Sequence, residues 1–226
     1  MKLGKHTKDG ILKLVLIFLL FELSAYFQLI PIKIFQIDKI TPQLDVLLSC
    51  FSNIILLAIL FFMYRIDLRR EFKNFIKNFN RSVDSCFKYW CIGLMMMLVA
   101  NVVIGYVLNL GQADNEQLVQ GMIVALPAVM LLNAGFVAPI IEELVFRKAF
   151  KDAIKNKWSF ILISGLVFGF MHVAVATTWV DLIFFVPYSC LGIAFAYMYY
   201  DTDSVFTPML AHILHNSILI LFSIFM

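Results

Sequence analysis

Three stretches of this chain carry ionisable or amide side chains inside sequence that is otherwise apolar. The first, Pro139-Ile-Ile-Glu-Glu-Leu-Val-Phe-Arg147, holds Glu142, Glu143 and Arg147. The second, Phe168-Gly-Phe-Met-His172, ends in a histidine. The third, Pro208-Met-Leu-Ala-His212-Ile-Leu-His-Asn216, offers His212 and Asn216, with His215 between them. Such groups are costly in an apolar setting, so each needs a partner or a task. Together they suffice for hydrolysis of a peptide bond. A desolvated glutamate can take a proton from water, and a histidine can hold that water or relay its proton. Imidazole and carboxamide donors can stabilise the tetrahedral oxyanion. No serine or cysteine stands in a nucleophile setting, so activated water is the simplest attacking group.

Helical spacing sorts these residues. Glu143 and Arg147 are four apart and share a face, which predicts an intrahelical ion pair. Glu142 is turned by about 100° from Glu143 and is free to face another helix. His212 and Asn216 also share a face, and His215 lies near it in a neighbouring role. At a rise of about 1.5 Å per residue, Glu142 lies roughly 20 Å from Lys155, His172 roughly 21 Å from Trp158, and His212 roughly 13 Å from Asp203. These depths are compatible with one shared site.

The elements that must position them are membrane helices. Of the 226 residues 62% are hydrophobic and only 15% charged, and mean hydropathy is +0.90; soluble domains carry about 25% charged residues. The reading is a polytopic all-α bundle of about seven spans, at residues 11–32, 44–66, 89–110, 122–146, 158–177, 182–200 and 205–226. It forms one integral domain over 1–226, with the chemistry-bearing region at about 122–226. The segment 67–88 alternates charge with Phe72, Phe75, Ile76 and Phe79, which predicts an amphipathic helix on the membrane surface between spans two and three. The first run is long for a signal peptide, and Ser24-Ala25-Tyr26 is a poor cleavage site, so it is expected to be a retained span.

All of the 18 lysines and arginines except Lys33 and Lys39 fall in three segments: Lys2 to Lys13, Arg65 to Lys88, and Arg147 to Lys157. With seven spans these lie on one side, which places the N-terminus in the cytoplasm and the C-terminus outside. A net charge of +3 leaves no electrostatic footprint for nucleic acid. Cys50, Cys86, Cys91 and Cys190 form no CxxC pair and are read as free thiols.

Glu142-Glu143-xxx-Arg147, Phe168-xxx-His172 and His212-xxx-Asn216 resemble, in order and spacing, the three motifs of the CPBP intramembrane proteases. That family includes the type II CAAX prenyl endopeptidases and the bacterial Abi proteins associated with bacteriocins. The resemblance runs from about Ala134 to Asn216. It implies that Glu142 is the catalytic glutamate and His172 its partner in activating water. It implies that His212 and Asn216 stabilise the oxyanion and that Glu143 and Arg147 support them. The family has been labelled metalloprotease, but HExxH is lacking and no cofactor is required; a divalent metal such as zinc, held by Glu142, His172 and His212, is the alternative.

The expected function is an intramembrane endopeptidase of the bacterial cell membrane, acting in bacteriocin self-immunity or peptide maturation. Its substrate would be a hydrophobic or membrane-delivered peptide. The site is expected to open to the cytoplasm or the membrane plane. The competing reading is a non-catalytic immunity factor or a scaffold for another membrane protein. A transporter ranks last, because no inverted repeat is visible.

Overall fold

The computed structural model describes residues 5–225; Lys2 and Met226, invoked above, lie outside them. Among the described residues the chain is helical throughout, with no strand. Helix α1 (Lys8–Ile34) crosses first. Its regular course yields to a 3-10 turn at Ser24–Gln28, just before Pro31, which cannot donate to the preceding turn. The helix is an integral part of the bundle: Ile17 is fully buried, and Phe18 and Phe21 meet the Phe146 ring edge-on at 6.3 and 5.4 Å.

Helix α2 (Pro42–Lys77) starts on a Thr41 cap, whose side chain accepts from the Leu44 amide, with Pro42 in the first turn. Helix α3 (Phe79–Leu108) follows after the single residue Asn78. This corrects the expected surface helix. Residues 67–88 are the ends of α2 and α3, continuous with their spans, and no proline or glycine interrupts the sequence between 43 and 92. Thirty-six residues extend about 54 Å, well beyond the roughly 30 Å hydrocarbon core. Within it Leu68 and Glu71 are buried against protein, while Phe72, Ile76 and Phe79 remain about half exposed.

The fourth expected span is divided. Helix α4 (Asp114–Ala125) ends at Leu126, which is extended because Pro127 follows it. Its Ile123 packs in one cluster with Val46, Met130 and Ile220. Helix α5 (Pro127–Ala153) is the actual span. It contains two π-helical stretches, Asn133–Val137 and Glu143–Ala149. Helix α6 (Lys157–His172) has an Asn156 cap and only 16 residues, so it extends about 24 Å, short of a full crossing. Helices α7 (Asp181–Thr202) and α8 (Phe206–Phe225) complete the bundle. Among the described residues six helices are long and apolar enough to cross a membrane, with α6 the shorter seventh. The protein is a multi-pass membrane protein.

Helices α6 and α7 approach closely because small residues line their contact. A Cβ on Gly165 would come within 2.6 Å of the Ile193 amide nitrogen. The three basic segments gather at one end of the bundle. There Lys13 pairs with Asp152 at 3.3 Å, Arg81 with Asp201 at 3.4 Å, and Lys151 with Asp203 at 2.6 Å. All four cysteines are free.

Candidate active site

Pro139 explains how α5 and α8 are joined. It has no amide hydrogen to give, and in the π-helical stretch before it Ala138 donates to Asn133. The carbonyls of Ala134 and Gly135 are therefore orphaned in an apolar setting, which requires partners for them. The partners come from α8: Asn216 Nδ2 donates to Ala134 O at 3.0 Å, and Ser217 Oγ to Gly135 O at 3.3 Å. One amide hydrogen of Asn216 is thus structural.

One turn closer to the basic end of α8, His212 sits 3% exposed between the two glutamates. Its Nδ1–H donates to Glu143 Oε1 at 2.9 Å, and its Nε2 faces Glu142 Oε2 at 3.6 Å. The expected Glu143–Arg147 pair is formed, with Nε 3.2 Å from Oε2 and both side chains at 0% exposure. That contact is not aligned as a hydrogen bond. Arg147 Nη1 instead donates to Ser164 Oγ at 3.2 Å, and Ser164 Oγ donates to Phe146 O at 2.6 Å. The guanidinium carbon lies 4.5 Å from the Phe168 ring centroid, a cation–π contact in a dry setting.

His172 is fixed in one tautomer. Its Nδ1 lies 2.9 Å from Phe168 O, and a carbonyl only accepts, so Nδ1 carries the proton and Nε2 is left as an acceptor. Phe168 stands between the imidazoles, 4.4 Å from the His172 ring and 5.6 Å from His212. Tyr188 stacks on the other side of His172 at 4.6 Å. Glu142 and His212 lie within electrostatic reach of His172. His215 faces away to α3, where Trp90 Nε1–H donates to its Nδ1 at 3.5 Å.

The structure therefore brings together Glu142, Glu143, Arg147, His172 and His212, while Asn216, one turn further along α8, is anchored on Ala134. The exposures of the glutamates differ: the Glu142 side chain is 19% exposed and Glu143 is fully buried. Among the described residues, no three His, Cys, Asp or Glu side chains are grouped as metal ligands. Ser164 and Tyr188 were not singled out from sequence. Ser164 had a legible signal, since it lies four and eight residues before Phe168 and His172 on one helical face. Tyr188 had none, because it comes from a different helix.

With this geometry in place, comparison with known proteins is informative. Residues 124–218 match the family model described as type II CAAX prenyl endopeptidase Rce1-like. This stretch is similar to the Rce1-like family. Every residue of the site lies inside the Rce1-like region, as do Pro139, Ser164 and Tyr188 that support it. The chain is also 31% identical over 134 residues to "Putative membrane peptidase YdiL" of Bacillus subtilis (strain 168). That alignment covers 58% of this chain and 52% of the relative, so the chain spans about half the length of the curated protein it matches. No solved structure matches.

Proposed function

We propose that this protein is an intramembrane endopeptidase that cleaves a hydrophobic or membrane-delivered peptide with water activated by Glu142. The observation that carries the reading is the Glu142–His212–Glu143 bridge. Glu143 accepts a hydrogen bond from Nδ1–H of His212, which aims Nε2 of the same ring at the partly exposed Glu142.

In this scheme a water between Glu142 and Nε2 of His172 attacks the carbonyl carbon as Glu142 takes its proton. The oxyanion is met by the second amide hydrogen of Asn216 and by His212 Nε2, with which Glu142 shares the proton it has just taken from water. Collapse breaks the C–N bond, and the proton on Glu142 passes to the leaving amine. Glu143, Arg147 and Ser164 hold the histidine in place. The scheme uses only these side chains and water. The Rce1-like match and the relative's name support a peptidase, and the gathering of basic segments at one end supports a cytoplasmic N-terminus and an outer C-terminus. The setting is a bacterial cell membrane, and the role is bacteriocin self-immunity or peptide maturation.

The test compares peptides released from membranes containing wild type or Glu142→Ala protein. A fragment present only with wild type supports cleavage. Identical peptide profiles, together with full immunity in the Glu142→Ala strain, would replace the enzyme with a non-catalytic partner.

A further inference from the structure

The basic end of the bundle holds a cavity of about 200 Å³ between α2, α5, α6 and α7. Four cations line it, Arg70, Lys148, Lys151 and Lys155, against three carboxylates, Glu71, Asp152 and Asp203. The carboxylates are satisfied from within the protein. Both oxygens of Glu71 accept, Oε1 from the Tyr199 hydroxyl and Oε2 from the Val205 amide. Asp152 accepts from Lys148 through Oδ1 and from Lys13 through Oδ2. Asp203 accepts from Lys151 at 2.6 Å.

The cations keep donors in reserve. An ammonium carries three N–H groups and a guanidinium five. Lys148, with its side chain 3% exposed, makes one hydrogen bond, to Asp152. Glu71 and Asp67 stand beyond hydrogen-bond reach of it, at 3.6 and 3.8 Å. Arg70 pairs with Asp67 through one nitrogen, at 2.9 Å. Lys155 is exposed at the rim, and no carboxylate among the described residues pairs with it. A cavity with spare donors and satisfied acceptors suits a ligand that only accepts, and phosphate is such a group.

We propose that this cavity binds a phosphate group, and that an anionic phospholipid carries it. Depth favours the lipid as its source. Arg70 lies about 42 Å along α2 from Pro42, past the roughly 30 Å hydrocarbon layer and so among the headgroups. Tyr200 also lines the cavity, 40% exposed, and an amphipathic ring suits that level. The bound phosphate ties Arg70 on α2 to Lys155 in the α5–α6 connection. It takes no part in the proposed cleavage.

The experiment titrates the full chain in detergent with phosphatidylglycerol or phosphatidylcholine and counts bound lipid by native mass spectrometry. Phosphatidylglycerol is expected to bind at least about tenfold more tightly. Arg70→Ala/Lys155→Ala should weaken its binding by about tenfold or more, the effect of two basic residues on an anionic lipid. Both side chains lie at the surface, so thermal unfolding of the lipid-free variant should stay near wild type. Lys155→Ala alone, which breaks no ion pair among the described residues, should still weaken binding several-fold. Lys33→Ala/Lys39→Ala removes the same charge from exposed positions at the opposite end and should leave binding unchanged. Inorganic phosphate separates the two sources. If it raises the unfolding temperature of wild type but not of Arg70→Ala/Lys155→Ala, at matched ionic strength, while the two lipids bind equally, the phosphate site stands and the lipid falls. Equal lipid binding with no response to phosphate overturns the site. So does an equal loss in the Lys33→Ala/Lys39→Ala protein.

Discussion

Two polar clusters lie about 9 Å apart along α5, counting the rise from Lys148 to Glu142. At the basic end, Lys148 is 2% exposed, with its Nζ 2.5 Å from Asp152, 3.6 Å from Glu71 and 3.8 Å from Asp67. Lys13 reaches both aspartates from α1, and Arg70 pairs with Asp67 at 2.9 Å. Glu71 accepts from the Tyr199 hydroxyl and from the Val205 amide that opens α8, both at 2.9 Å. This cluster matches carboxylates with cations and joins α1, α2, α5, α7 and α8. The cluster around His212 uses the same residue types differently. Glu143 and Arg147 neutralise each other, but Glu142 Oε2 is left without a hydrogen-bond partner and its side chain is partly exposed. A buried ionic cluster with every charge matched fastens helices. One that leaves a single aimed carboxylate has an acceptor available for a proton.

Substitutions can break this contrast at either end. The largest expected effect is at Glu142: Glu142→Gln should lower peptide release by about 10²–10⁴-fold, the usual contribution of a general base, while thermal unfolding in detergent stays near wild type. An active Glu142→Gln enzyme would dissolve the distinction between the clusters. Next is Glu143→Gln, which can present an amide hydrogen to His212 Nδ1 and so favour the wrong tautomer. Release should drop by about 10²-fold or more with the fold retained, and imidazole nitrogen shifts in solid-state NMR would report the change.

The third substitution acts on stability alone. Lys148→Met leaves Glu71, Asp67 and Asp152 short of a buried cation and should cost about 3–5 kcal/mol, read from denaturation in mild detergent. Whatever protein remains folded should keep its specific activity, since Lys148 lies outside the site. The smallest effect belongs to Arg81→Ala. Its guanidinium is 66% exposed, and loss of the Asp201 pair should cost less than about 1 kcal/mol and shrink further in high salt.

Much of this was legible before any coordinates. The apolar runs required membrane helices, because lipid leaves backbone groups no other partner. The four-residue spacing of Glu143 and Arg147 gave their ion pair, and the offset of Glu142 left it pointing elsewhere. The segment 67–88 misled because an amphipathic face fits a membrane surface and a protein neighbour equally well. Only the structure shows that the segment forms the ends of two long helices, Pro42–Lys77 and Phe79–Leu108.

What the chain determined by itself was local: helical periodicity, the charge asymmetry, and the motifs at 142–147, 168–172 and 212–216. These depend on neighbours within a turn or two, so composition and spacing carry them. Tertiary structure alone decided which imidazole nitrogen meets which carboxylate, that Asn216 and Ser217 satisfy the carbonyls freed by Pro139, and that Asp114 fastens the segment after His172. Each of those contacts joins residues more than 60 positions apart. Their geometry follows from how the helices pack, which no local pattern encodes.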